Sequence, residues 1–295
     1  MQLEQWRQAG STFEFRGQPI FYRESGEGPA LLCLHGFPTA SWDWVRVWPE
    51  LASGYRVIAP DLLGFGFSAK PHPHGYSIIE QADLVEKLLR ERGVEEVHLL
   101  AHDYGDTVAQ ELLARQAGRR TEGLPGLTVR SALLLNGGLF PEAIRPLMLQ
   151  RLLPTRLGPL IARLVTRAGF GSQFGRVFSH HARPGRMDMD AFWKLITSGR
   201  GRRVMPAISR YQRERVRRRK RWVDALSHAG VPLRLVVGTL DPVSGRSIAD
   251  RYRQLVDDAD VVTLDHVGHY PQWEDPAAVV RALVELHETA LPIPA

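Results

Sequence analysis

One cysteine, Cys33, in 295 residues leaves no basis for an intrachain disulfide framework or a cysteine-ligated metal centre. It sits in "PALLCLHG", a buried-strand pattern in which a thiol between leucines is expected to be inert. Sparse cysteine also fits a reducing cytoplasm. No stretch approaches the roughly 18 apolar residues of a membrane span. The opening Met-Gln-Leu-Glu-Gln-Trp-Arg lacks the apolar core of a signal peptide. No P-loop or Gly-x-Gly-x-x-Gly follows the first core strand, so no nucleotide cofactor is expected. Repeats and low-complexity tracts are also missing. Acidic residues are scarce in one region only. Residues 141–229 hold 20 Lys and Arg against 5 Asp and Glu, whereas the remainder holds 18 against 27. That asymmetry marks 141–229 as a separate module.

What is present alternates between strand and helix. "STFEF" and "PIFYRES" alternate apolar and polar residues, as a half-exposed hairpin does. "ALLCLH", "YRVIAP", "VHLLAH", "SALLLN" and "LRLVVG" are short, nearly continuous apolar runs, expected of parallel strands covered on both faces. "VVTLD" reads as an eighth strand nearer an edge. "SIIEQADLVEKLLRERG" has helical periodicity and a glycine stop at Gly93. The pattern predicts an α/β domain of eight mostly parallel strands with flanking helices. Core segments 1–140 and 230–295 bracket a helical insertion, 141–229, after the strand ending at Leu135. Ligands bind beyond the carboxyl ends of such strands, so the insertion is expected to cover the site as a lid.

Polar residues stand just after three strands, in the chain order nucleophile, acid, histidine. In "LLAHDYGDTVAQELLAR" (99–115), His-Asp-Tyr-Gly separates a strand from a helix, the layout of a nucleophile elbow. Asp103 occupies the place a serine usually takes. Asp241 follows in "GTLDPVSG" and His269 in "GHYPQWEDP"; Asp265 is a weaker competitor for the acid. Further strand-end segments are "LHGFPTASWDW" and "PDLLGFGFS". A carboxylate, unlike a hydroxyl, attacks an sp³ carbon without first losing a proton, giving an alkyl ester that a histidine-activated water hydrolyses. Asp103 therefore points to alkylation chemistry and away from an ordinary esterase or peptidase.

These motifs resemble the α/β-hydrolase superfamily, and specifically its aspartate-nucleophile branch of epoxide hydrolases and haloalkane dehalogenases. "HDYGDTVAQELL", "LNGGLFPEAIRPLMLQ", "RRRKRWVDAL" and "LDPV" are similar to the mesoderm-specific transcript-like hydrolases of that superfamily. The resemblance covers nearly the whole chain. It implies a cofactor-free enzyme in which His269 is the base, Asp241 orients it, and the backbone N–H groups of Phe37 and Tyr104 form the oxyanion hole. Haloalkane dehalogenases commonly carry a halide clamp of Trp after the nucleophile and Asn in a His-Gly-Asn-Pro loop; here those positions are Tyr104 and Phe37. Epoxide hydrolases use lid tyrosines as proton donors, and "AISRYQRERVRRRKRW" places Tyr211 in that role. No second lid tyrosine is evident; His180 or His181 is the substitute. The substrate pocket is expected to include His35, Trp42, Phe174, Phe178 and His181. The expected partner is a small molecule, an epoxide or alternatively an alkyl halide.

Other readings attach to the same residues. Asp103 alone suits a helix N-cap, and Asp106 a first-turn carboxylate favoured by the helix dipole. His72 and His74, in "PHPHG", lack neighbouring carboxylates in sequence, so a metal site is not expected. Trp42, Trp44 and Trp48 read as core packing before ligand stacking. The run "RERVRRRKR" (213–221) invites nucleic acid, which is not expected, or an anionic surface. If it were one helix, Arg215, Arg218 and Trp222 would share a face with Tyr211, and an arginine there could receive a substrate carboxylate. A catalytically idle scaffold binding a partner through this basic lid is the alternative from another class.

Overall fold

After a short helix, Leu3–Gln8, come the hairpin strands β1 (Ser11–Phe15) and β2 (Gln18–Ser25), joined by Arg16 and Gly17 at φ 51° and 73°. Two positive φ values in a two-residue loop give the twist that antiparallel neighbours need. In this computed structural model, which describes residues 1–290, six more strands follow: β3 (Ala30–Leu34), β4 (Arg56–Pro60), β5 (Glu96–His102), β6 (Thr128–Leu135), β7 (Leu233–Gly238) and β8 (Val261–Leu264). They form one sheet in the order β1-β2-β4-β3-β5-β6-β7-β8. β2 runs antiparallel to β1 and β4, and every other neighbouring pair is parallel. This is the eight-stranded, mostly parallel α/β architecture that the alternating pattern predicts.

Burial explains the two kinds of strand sequence. Leu31, Leu32, Cys33 and Leu34 of β3 are all fully buried, because helices cover both faces of the sheet centre. β8, at the edge, keeps partly exposed residues and a shorter apolar run. The periodic run before β5 forms the helix Ile78–Glu91, its first turn capped by Ser77 Oγ accepting from the Glu80 N–H at 3.1 Å.

Between β6 and β7 the described residues form helices and no strand. Met148–Leu152, Gly158–Leu164, Arg167–Phe174, Arg186–Thr197, Gly201–Ile208 and Tyr211–Arg217 lead to Arg219–Ser227. This segment is tied to the core by backbone and side-chain bonds. The His269 N–H donates to Val177 O at 2.8 Å, and Glu214 Oε2 accepts from the Ile78 N–H at 2.9 Å. The basic run is not one helix: Arg218, at φ −103° and ψ 11°, breaks it. Beyond the break, Arg219–Ser227 lies along the core helix Tyr104–Glu122. Glu111 of that helix, 2% exposed, accepts from Trp222 Nε1 and Arg221 Nε, each at 2.9 Å, and from Arg115 Nε at 3.0 Å.

Glu111 thus joins two layers of the fold. Burial opposes its charge, but bonds from Arg221, Trp222 and Arg115 overcome that and hold its pKa below the ordinary value. A depressed carboxylate stabilises the fold above its unfolded pKa of about 4.3, and loses that contribution as pH falls further. Glu111→Ala should lower stability by about 1–3 kcal/mol at neutral pH, because the buried Trp222 N–H loses its acceptor while Arg115 keeps Asp83 and Glu86 and Arg221 reaches solvent. Urea melts at neutral and acid pH check this: the gap from wild type should narrow as pH falls below about 4.

Candidate active site

β5 ends at His102, and the chain turns into the helix Tyr104–Glu122 through Asp103 at φ 46°, ψ −99°. A non-glycine residue in this region is strained, and the surrounding packing must hold it. Gly105 permits the turn to press on β3: a Cβ there would lie 2.2 Å from Leu34 O. The Phe37 N–H, from the loop after β3, donates to Asp103 Oδ2 at 3.0 Å. No hydrogen bond joins the Tyr104 N–H to that carboxylate among the described residues.

The histidine and acid arrive from the ends of β8 and β7. His269 Nδ1 donates to Asp241 Oδ2 at 2.7 Å, and both residues are buried. Asp241 is over-determined: Asn136 Nδ2 reaches Oδ2 at 2.9 Å, Ser244 Oγ at 2.7 Å, and the Val243 N–H reaches Oδ1 at 2.7 Å. Desolvation opposes its charge, yet His269 and these donors keep its pKa below the ordinary value. Asp265 is exposed and pairs with Arg246, away from the imidazole. Desolvation likewise opposes the charge on His269; the Asp241 carboxylate and its hydrogen bond, with Asp103 behind them, outweigh it and raise the imidazole to about 9.

His102 supports both halves of the site. Its Nε2 lies 2.8 Å from His269 O, and burial together with the neighbouring imidazole lowers it to about 3. It is therefore neutral, and Nε2 is a bridge between elbow and histidine loop. Asp106 does lie in the first turn of the helix, but in the interior. It is fully buried, neither carboxylate oxygen has a hydrogen-bond partner, and burial plus the charge of Asp103 raises its pKa well above the usual range. Burial thus opposes the charged carboxylate that a helix-dipole role needs, with Arg215 acting the other way.

Tyr211 comes down from the lid to 4% exposure, its ring 4.8 Å from Tyr104 and 5.7 Å from Phe37. Burial, then the charge of Asp103, raises its phenol above the ordinary tyrosine value, while Arg215 opposes them. Arg215 has a different place from the one its spacing suggested. It is buried, with Nη2 2.9 Å from Asp103 O and 3.5 Å from Asp103 Oδ1, and Nε donating to Thr107 Oγ1 at 2.7 Å. Its guanidinium also covers the Tyr211 ring at 4.5 Å. A Cβ at position 138 would lie 2.2 Å from Arg215 Nη1, so "LNGG" leaves room for this cation. Arg218 does not share the site; it pairs with Glu214 at 3.1 Å.

Two chambers meet at Gln150. One of about 250 Å³ opens from Asp103 and is lined by Tyr211, Arg215 and Ser244. The other, about 80 Å³ and largely apolar, reaches His269 and Tyr270 between Phe37, Leu153, Phe174 and Met205. Four expected pocket residues lie elsewhere. His35 is fully buried, its Nε2 accepting from the Leu62 N–H at 3.0 Å, and shapes the loop from behind. Trp42 packs on Phe192 and Trp273 in the core. Phe178 stacks on the Tyr270 ring, behind the chamber wall. His180 and His181 are exposed on the lid surface, and neither lines the two chambers. His74 does have a carboxylate neighbour, Glu80 at 2.7 Å, but no group of three metal-ligating side chains occurs among the described residues. Asn136 and Ser244 escaped sequence reading; their signal is position, directly after β6 and within the turn after β7.

Family comparison now adds to this geometry. The model of the α/β-hydrolase fold family matches residues 29–276. The chain belongs to that family. It is 42% identical over 291 residues to the mesoderm-specific transcript homolog protein of Bos taurus, covering 95% of this chain and 86% of that one. To the putative hydrolase LipZ of Mycobacterium tuberculosis it is 39% identical, covering 96% and 97%. Among solved structures, the haloalkane dehalogenase DbeA from Bradyrhizobium elkani aligns with TM-score 0.78 at 23% identity, covering 95% and 98%. The epoxide hydrolase CorEH aligns with TM-score 0.75 at 18% identity, covering 96% and 99%. Identities this low speak for the shared fold.

The raised imidazole has a testable consequence. Its contribution to stability is present below the unfolded value of about 6.5 and is lost as pH rises through about 9. NMR titration should find the His269 imidazole titrating near 9 in wild type. In Asp241→Asn it should titrate lower, with a flatter stability profile across the same window. An imidazole titrating in the ordinary range in both proteins would contradict the ion pair.

Proposed function

We propose that this α/β-hydrolase is an epoxide hydrolase that works through an alkyl ester of Asp103, in the cytoplasm and without a cofactor. The supporting observation is a carboxylate at the elbow with one oxygen against a backbone N–H, close to a buried phenol. In this reading Asp103 Oδ1 attacks an epoxide carbon, the ring C–O bond breaks, and Tyr211 protonates the departing alkoxide. The shift on Tyr211 suits that role, since a raised phenol stays protonated until a stronger base forms beside it. The arrangement is poor for halide departure: the Phe37 side chain has no donor, and Tyr104 is fully buried in a ring cluster with Phe65 and Tyr211.

The second step follows from charge. Alkylation removes the negative charge of Asp103, one of the influences holding His269 protonated, so once the ester exists the imidazole gives its resting proton to the Tyr211 phenolate and is free to act as a base. His269 then takes a proton from water, and the hydroxide adds to the ester carbonyl carbon. The Phe37 N–H donates to the resulting oxyanion. Collapse breaks the acyl–oxygen bond and releases the diol with the second water proton. The proton taken from water leaves His269 protonated and Tyr211 neutral, which is the resting state. The balance is epoxide plus water to diol. Asp241, held by Asn136 and Ser244, fixes the imidazole throughout.

The test is turnover of an epoxide panel by wild type, with diol as the product measured. Asp103→Asn should abolish it. Tyr211→Phe should lower kcat by about 10²–10⁴ when ring opening needs an acid. Halide release from haloalkanes, unaffected by Tyr211→Phe, would reassign the enzyme as a dehalogenase.

A further inference from the structure

Two short lid helices face different surroundings on their two sides. Inward, Leu149, Leu153, Ala162 and Val165 wall the apolar chamber that ends at His269. Outward, Met148, Leu157, Leu160 and Leu164 are 73%, 61%, 57% and 69% exposed. Leu157, the N-cap in helical conformation, and Leu160 and Leu164 of the helix Gly158–Leu164 recur at i, i+3 and i+7, so they form one ridge. Scattered exposed leucines are ordinary, but a ridge of them is the mark of an interaction surface. Arginines flank it. Arg156 and Arg163 adjoin the ridge, and Arg203 lies on the helix Gly201–Ile208 packed beside it. All three are exposed, and none forms an ion pair among the described residues.

We propose that this face of the lid docks on the surface of an anionic phospholipid bilayer. The leucine ridge sits at the boundary between headgroups and acyl chains, and the arginines meet the phosphates and carboxylates of the headgroups. Charge selects this occupant over a second copy of the chain. A two-fold contact would set the ridge and its unpaired arginines against their own images, and 20 Lys and Arg against 5 Asp and Glu leave the segment little acid for relief. The protein lies on the bilayer and does not span it, since no described helix is long and apolar enough to cross. In this pose one helix, about 10 Å thick, separates the bilayer from the apolar chamber, so sparingly soluble hydrocarbon substrates reach the site from the lipid phase.

The experiment is flotation of the full chain with vesicles of phosphatidylcholine alone or mixed with phosphatidylserine. It reads binding without turnover and is independent of the reaction at Asp103. Wild type should float with the mixed vesicles and hardly with phosphatidylcholine, and its binding should fall steeply with added salt. Arg156→Gln with Arg163→Gln should weaken binding about 30-fold, and Leu157→Ser, Leu160→Ser and Leu164→Ser together should abolish it. Melting curves show whether the variants fold; if they do not, the salt dependence of wild type decides. Failure of wild type to float with the mixed vesicles would overturn the proposal. So would equal binding to both vesicle types, or a solution dimer that the serine variant dissociates.

Discussion

Four charged groups are buried together at the carboxyl ends of the central strands, and none is tolerable there alone. Asp103 and Asp241 bring negative charge, His269 and Arg215 positive, each less than a tenth exposed. An isolated ion at such depth costs several kcal/mol, so the arrangement persists only because attraction and hydrogen bonds offset desolvation for all four together. Local features of the fold serve that balance. Gly105 lets the elbow reach β3, Gly138 leaves room for the Arg215 guanidinium, and Asn136 turns a donor on Asp241 from the end of β6.

The same balance times the chemistry proposed for the site. A carboxylate held beside an imidazolium is a nucleophile first; when it becomes an ester, its charge no longer holds the proton on the histidine. No separate switch is needed, because the covalent step itself alters the electrostatics. Arg215 adds a constraint of its own. Bonded to the Asp103 carbonyl and to Thr107, it stiffens a backbone position that strained φ would otherwise leave costly.

Much of this was legible in the chain. Apolar runs with strand length predict the sheet, and Asp103, Asp241 and His269, which follow β5, β7 and β8, gather at one edge because parallel strands deliver their carboxyl ends there. Asp241 over Asp265 came from the family resemblance alone; in the structure the turn after β7 meets His269, and Asp265 after β8 is exposed. What sequence could not carry was direction within the lid. Arg215 and Arg218 look equivalent by spacing, yet a helix break at Arg218 sends one to the nucleophile and the other to Glu214. His181 and Phe178 sit in a plausible stretch, but periodicity does not say which side of an irregular lid faces the cavity. Asp106 reads as a first-turn carboxylate on the helix dipole until Gly137 is seen packed over it, a Cβ there being 1.8 Å from Asp106 Oδ2.

Most directly at stake is whether Asp103 is alkylated. Intact-protein mass of His269→Phe after incubation with an epoxide answers this, since the ester forms before any base is needed and then has nothing to hydrolyse it. The account predicts a mass increase equal to the whole epoxide, lost on further substitution of Asp103→Asn. Wild-type conversion of the same epoxide to diol, with no adduct on His269→Phe, would contradict it.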